Sequence, residues 1–141
     1  MYAISLTSIP PRYARLGPFV RALAPGGKFD SNSYARFAPA ALPALPGGVD
    51  VLRVPHDEGP ATKVLPAARA LAGQVDRLIY CDDDWLMPPD WAARLLCAQS
   101  DREAVAASGF DVSRFKRRSH CAADPGRADI AQGFAGVAVC P

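Results

Sequence analysis

Cysteine pairs with metal-ligand spacing are missing from this sequence. Cys81, Cys97, Cys121 and Cys140 are scattered singly along the chain, which argues against a structural zinc site. The N-terminus, Met1-Tyr2-Ala3-Ile4-Ser5-Leu6-Thr7, has no basic segment ahead of a long apolar one, and Pro10-Pro11 breaks the chain soon after it. A signal peptide is therefore not expected, and the thiols are expected to stay reduced. No apolar run approaches the roughly 18 residues of a membrane-spanning helix, because proline, glycine or charge breaks each one. Charge of one sign is lacking too: 16 Lys and Arg stand against 14 Asp and Glu, for a net charge of +2. That balance points to no polyanionic partner, and nucleic acid is not expected to be one. The 14 prolines and 11 glycines fall between apolar stretches without a period, which excludes collagen-like and low-complexity classes.

What is present is a turn-rich globular chain, half of whose 141 residues are hydrophobic. That suits one domain over 1–141 with a working core. Tyr2 to Thr7 reads as a buried strand that Ser8-Ile9-Pro10-Pro11 turns at its carboxyl end. Leu16, Phe19, Val20 and Leu23 recur at helical spacing from Arg12 to Ala24, with Gly17-Pro18 as a kink. Residues 24–48 read mostly as loop around a packed insert, Tyr34-Ala35-Arg36-Phe37. Val49 to Val54 reads as a strand, and Pro60 or Thr62 starts a helix presenting Val64, Leu65, Ala68 and Leu71. Arg77-Leu78-Ile79-Tyr80-Cys81 is a further strand running into three aspartates. Pro88-Pro89-Asp90 then opens a helix that uses Trp91, Leu95 and Leu96. Ala104 to Ser108 and Phe134 to Val139 close the set of strands. This alternation predicts an α/β fold with a mainly parallel sheet flanked by helices, whose ligands bind at the carboxyl ends of its strands. Ser8-Ile9-Pro10, Asp57-Glu58-Gly59 and Asp82-Asp83-Asp84 would share that edge.

Three consecutive carboxylates repel one another, and a hard divalent cation offsets that repulsion with oxygen ligands it prefers. Alternation in an extended turn would place Asp82 and Asp84 on one side. The competing reading is an acidic cap for the helix starting near Pro88, with Asp83 or Asp84 complementing its dipole. Trp85 and Trp91 read as core beside that helix, with a stacking floor for a sugar as the alternative. The basic run Arg114-Phe115-Lys116-Arg117-Arg118-Ser119-His120 suits a diphosphate, a charged acceptor or an anionic membrane surface, or is simply a solvated loop.

Ile79-Tyr80-Cys81-Asp82-Asp83-Asp84-Trp85 resembles the Asp-X-Asp motif of the A-type glycosyltransferases that use nucleotide-sugars. Three further segments keep the same order. Ile4-Ser5-Leu6-Thr7-Ser8-Ile9-Pro10-Pro11-Arg12 is similar to the nucleotide-receiving opening of bacterial members. Asp57-Glu58-Gly59-Pro60-Ala61-Thr62-Lys63 resembles their second nucleotide-contacting loop, and Gln132-Gly133-Phe134-Ala135-Gly136-Val137 the glycine-rich stretch that approaches sugar or acceptor. The resemblance implies a Rossmann-like nucleotide-binding half and a UDP- or GDP-linked sugar donor. It implies a saccharide or lipid-linked acceptor, with Mn²⁺ or Mg²⁺ as cofactor. Asp84 would bind the ion and Asp82 would share it or contact the ribose. Thr7, Ser8, Pro10, Arg12, Asp57, Lys63 and Asp83 would line the nucleotide-sugar site. Lys63 reads equally as a solvated lysine, Asp57 as a turn cap, and Arg12 as a surface residue.

Two departures from the family qualify the expectation. Residues 24–33 lack an apolar run, so the sheet position after the first helix is expected to be missing or displaced. The chain stops at Cys140-Pro141, where members of the family continue, so a truncated catalytic apparatus is expected, with Asp129 as candidate base. A non-catalytic remnant that binds nucleotide-sugar or a partner is the alternative. A Mg²⁺-dependent phosphoryl-transfer domain is a third reading, but Tyr2 to Ile9 offers no carboxylate nucleophile. The expected location is cytoplasmic, peripheral at the inner face of the membrane. An exposed sheet edge would favour a homo-oligomer.

Overall fold

A computed structural model describes residues 1–8, 10–14, 28–33, 44–56, 58–99, 104–111 and 126–141. Strands β1 (Tyr2–Ser8), β2 (Lys28–Ser33), β3 (Val49–Asp50), β4 (Arg77–Asp82), β5 (Val105–Ala106) and β8 (Val137–Val139) form a six-stranded sheet in the order β3-β2-β1-β4-β8-β5. The β3-β2-β1-β4 half is parallel throughout, while β8 runs antiparallel to both β4 and β5. Two further strands, β6 (Gly109–Phe110) and β7 (Ile130–Ala131), pair separately as an antiparallel ribbon. Helices α1 (Leu65–Leu71) and α2 (Trp91–Ala98) belong to the crossovers. The chain leaves β1 for β2 on one side and reaches β4 on the other, which makes the β1/β4 boundary the topological switch point.

Strand alternation divides the core into two layers. On one face Ala3 and Leu78 pack with Ala67 of α1 and with Val75. On the other, Ile4, Leu6, Ile79 and Cys81 pack with Met87 and with Trp91, Ala92 and Leu95 of α2. Ile4, Leu6, Leu78 and Ile79 are fully buried, each contributing about 1.5–3 kcal/mol of apolar transfer energy.

The main correction is β2. Lys-Phe-Asp-Ser-Asn-Ser has little apolar character, yet it pairs with β1 along six residues, from Ala3 opposite Lys28 to Ser8 opposite Ser33. The sheet position expected to be missing is filled, because a ladder to a committed neighbour can override weak side-chain preference. The strand expected over Val49 to Val54 shrinks to Val49–Asp50. Leu65 is exposed, and Ala67 takes the buried place on α1. Pro66 falls within the first turn of α1, where its missing N–H costs nothing. The last predicted strand is split: a 3-10 turn, Gly133–Ala135, and Gly136 at φ +104 precede β8. Most of the first predicted helix, the Tyr34 to Phe37 insert, the basic run and Cys121 lie outside the described residues.

Candidate functional site

β1 and β4 end side by side, with Thr7 opposite Asp82 in the ladder. The parity of the two strands decides what each carboxylate meets. Leu78, Tyr80 and Asp82 share the α1 side of β4, where Ser5 of β1 donates its hydroxyl to the Lys63 carbonyl at 2.7 Å. That bond fixes the end of a 3-10 turn, Gly59–Lys63, opened by Gly59 at φ +62. The Lys63 ammonium then reaches the Asp82 carboxylate, with the lysine side chain only 11% exposed. Lys63 is thus a buried partner of the triplet rather than a solvated lysine.

Asp83 turns the opposite way, into the layer that holds Ile79 and Cys81. The Ser8 hydroxyl donates to its Oδ2 at 2.5 Å, and Arg12 Nη1 donates to its Oδ1 at 2.7 Å. This carboxylate is almost wholly enclosed, its side chain 3% exposed. Arg12 comes from the 3-10 turn Pro10–Arg12 that comes after β1, and its Nη2 also meets Asp84 Oδ2 at 3.2 Å. The hydrogen bond to Asp83, with the nearby charges of Asp83, Asp84 and Asp82, raises the guanidinium above its ordinary pKa. Asp84 is half exposed at the outer rim.

The repulsion among the three carboxylates is therefore offset within the chain by Lys63 and Arg12. Three negative charges against two positive ones leave the cluster with one net negative charge. Among the described residues no three His, Cys, Asp or Glu side chains converge as a metal-ligand set. Asp82 and Asp84 provide two hard oxygen donors, the complement that Mg²⁺ takes when phosphate oxygens and water complete its shell. The acidic-cap reading does not fit, because α2 begins at Trp91 with Asp90 at its N-cap.

The structure adds residues whose roles the sequence left open. Tyr80 and Gly133 flank Lys63: a methyl on Gly133 would stand 3.2 Å from the Tyr80 ring and 3.3 Å from the lysine Cε and Nζ. Burial raises the Tyr80 phenol pKa, with Lys63 opposing the shift. Trp91 is core, and its indole Nε1 donates to the Ala135 carbonyl at 2.8 Å. Trp85 is not core; it is 54% exposed and meets Phe134 edge to face. The alternation of β1 and β4 was the one local signal for these pairings, since it already separates Asp82 from Asp83. Burial pushes the Cys81 thiol far up, so it is no nucleophile. Asp129 is exposed, on the residue before β7. Asp57 and His120 lie outside the described residues.

No protein-family model matches the chain, and no curated protein matches it either. Among solved structures it is similar to the galactosyltransferase LgtC in complex with donor and acceptor sugar analogues, with a TM-score of 0.54 and 11% identity. The similarity covers 99% of this chain and 58% of that one, so the chain spans little more than half the neighbour's length. At that identity the likeness shows the fold: a mixed, mainly parallel sheet flanked by helices, of the A-type glycosyltransferase kind.

Proposed function

We propose that the chain is a glycosyltransferase domain that moves a sugar from a nucleoside-diphosphate donor, UDP- or GDP-linked, to a saccharide or lipid-linked acceptor. The observation that carries this reading is the ion-paired triplet Asp82-Asp83-Asp84 at the switch point between β1 and β4. The fold likeness to a galactosyltransferase supports it.

In this reading the three aspartates divide the work. Asp83, locked by Ser8 and Arg12, anchors the loop. Asp84 and Asp82 would hold Mn²⁺ or Mg²⁺, which when bound supplies positive charge to the departing diphosphate. The net negative charge of the cluster favours such a cation, because a diphosphate approaching the carboxylates directly would be repelled. Arg12 presents a planar fork suited to two phosphate oxygens, and its outer contact, to half-exposed Asp84, is the one a ligand can exchange. Lys63 holds Asp82 in place and contributes a second positive charge. Thr7, Ser8 and Pro10 form the floor and loop at the end of β1, and Asp57 accepts a hydrogen bond from base or ribose. Asp129 is the proposed base for the acceptor hydroxyl.

Calorimetric titration of UDP and GDP, with and without Mn²⁺, tests the site in wild type and Asp84→Ala. One nucleotide should bind at least about tenfold more tightly with Mn²⁺, and Asp84→Ala should remove that gain, a difference of ~1.4 kcal/mol. A folded wild-type sample that binds neither nucleotide in Mn²⁺ would overturn the reading.

A further inference from the structure

Trp85 comes directly after Asp84, yet it is 54% exposed, and Leu86 beside it is 78% exposed. Neighbouring large apolar side chains left exposed beside charged groups offer a surface on which a ligand can bind. The Trp85 ring is not a loose surface residue. It meets Phe134 with ring centroids 5.8 Å apart and planes inclined at 63°. An edge-to-face pair of this kind leaves aromatic face uncovered that parallel stacking would consume.

Phe134 is itself held from both sides. Gly133 before it lies against Tyr80 and Lys63, in the buried part of the site. Behind it, Ala135 accepts a hydrogen bond from Trp91, and Gly136 at φ +104 passes so close to the indole that a Cβ there would stand 2.2 Å from the ring. The strip from Gly133 to Gly136 thus ties half-buried Phe134, and through it exposed Trp85, to the core under α2 and to the cation that holds Asp82. Such support is what a preorganised binding surface needs.

We propose that Trp85 and Phe134 form a stacking subsite for a pyranose ring of the acceptor saccharide. The subsite rests on the glycosyltransferase reading. One face of a pyranose is lined with C–H groups and suits an aromatic surface, while its hydroxyls need polar acceptors at the margin. The exposed Trp85 ring offers such a surface, and Asp84, the residue before it in the chain, is half exposed.

Saturation-transfer NMR on the folded chain reads this directly, with methyl β-galactopyranoside, methyl β-glucopyranoside and lactose as probes, in the presence of Mg²⁺ and UDP or GDP. At least one saccharide should receive saturation at its ring C–H protons. Trp85→Ala should weaken that saccharide about tenfold, and Trp85→Phe should restore most of it. Calorimetry of UDP and GDP on the same variants should show nucleotide binding unchanged. Four results would overturn the subsite: no transfer to any probe, full transfer to Trp85→Ala, loss of nucleotide rather than saccharide binding in that variant, or a Trp85-dependent emission shift on vesicles of phosphatidylcholine and phosphatidylglycerol in place of any saccharide signal. Saccharide transfer without nucleotide binding would remove the donor site and leave the subsite standing. Nucleotide binding without saccharide transfer would do the reverse.

Discussion

Lys63 and Arg12 neutralise neighbouring aspartates at the ends of adjacent strands, but they do so in opposite surroundings. The Lys63 to Asp82 pair sits against Tyr80 and Gly133, with the lysine side chain 11% exposed. The Arg12 side chain is 45% exposed and spans buried Asp83 and half-exposed Asp84. The inner pair is screened less by water and salt, although Asp82 itself is 32% exposed. The outer pair shares one guanidinium between two carboxylates, and its longer contact faces solvent. In the proposed reading, the contrast separates a part of the site that holds geometry from a part that would exchange partners when an anion arrives.

The comparison breaks most readily at the inner pair. Lys63→Met keeps much of the apolar stem but leaves Asp82 without its cation, and should cost about 2–3 kcal/mol in a denaturant melt. A loss below about 0.5 kcal/mol would mean that water already serves Asp82, and that the two ends of the triplet do not differ as described. Arg12→Ala should cost less, about 1–2 kcal/mol, because Ser8 still bonds Asp83 and the guanidinium was half exposed. Its larger effect should fall on nucleotide affinity measured by calorimetry, and that affinity in wild type should weaken with added salt. If Arg12→Ala melts like wild type and binds nucleotide equally well, the outer contact has no role in the site.

The smallest expected effect concerns pH. The Tyr80 phenol is held above its ordinary value because burial disfavours the phenolate, with Lys63 pulling the other way. A folded-state value above the unfolded one means that this contribution is intact below about pH 10 and is lost as pH rises through the folded value. Wild type should therefore lose stability on the alkaline side more steeply than Tyr80→Phe. Parallel alkaline profiles would show that the phenol is not enclosed with Lys63.

Some of this was available without a fold. The run from Arg77 to Cys81, then three aspartates, then Pro88-Pro89 announces a buried strand ending in charge ahead of a helix, and the structure has that order from β4 to α2. The strand at Tyr2 and the α/β alternation were equally legible, since apolar period and proline punctuation are local properties. The place of the site came with the class: carboxyl ends of parallel strands gather polar loops wherever the connections reverse.

Other features had no local signal. The β2 segment reads as polar loop and becomes a strand because β1 offers it a full ladder of backbone partners. Trp85 and Trp91 are the same residue six positions apart. One is enclosed by the α2 core layer and the Gly136 backbone that passes close to its ring, and the other stays outside, next to Asp84 in the chain. Asp83 finds Ser8 across 75 residues and Arg12 across 71. Sequence by itself determined β1 and β4, the acidic strand end and the two-sided parity that sends Asp82 and Asp83 apart, because those rest on short-range geometry. Tertiary structure alone decided which cation meets which carboxylate and which tryptophan faces solvent, because those contacts join segments that only the closed sheet brings together.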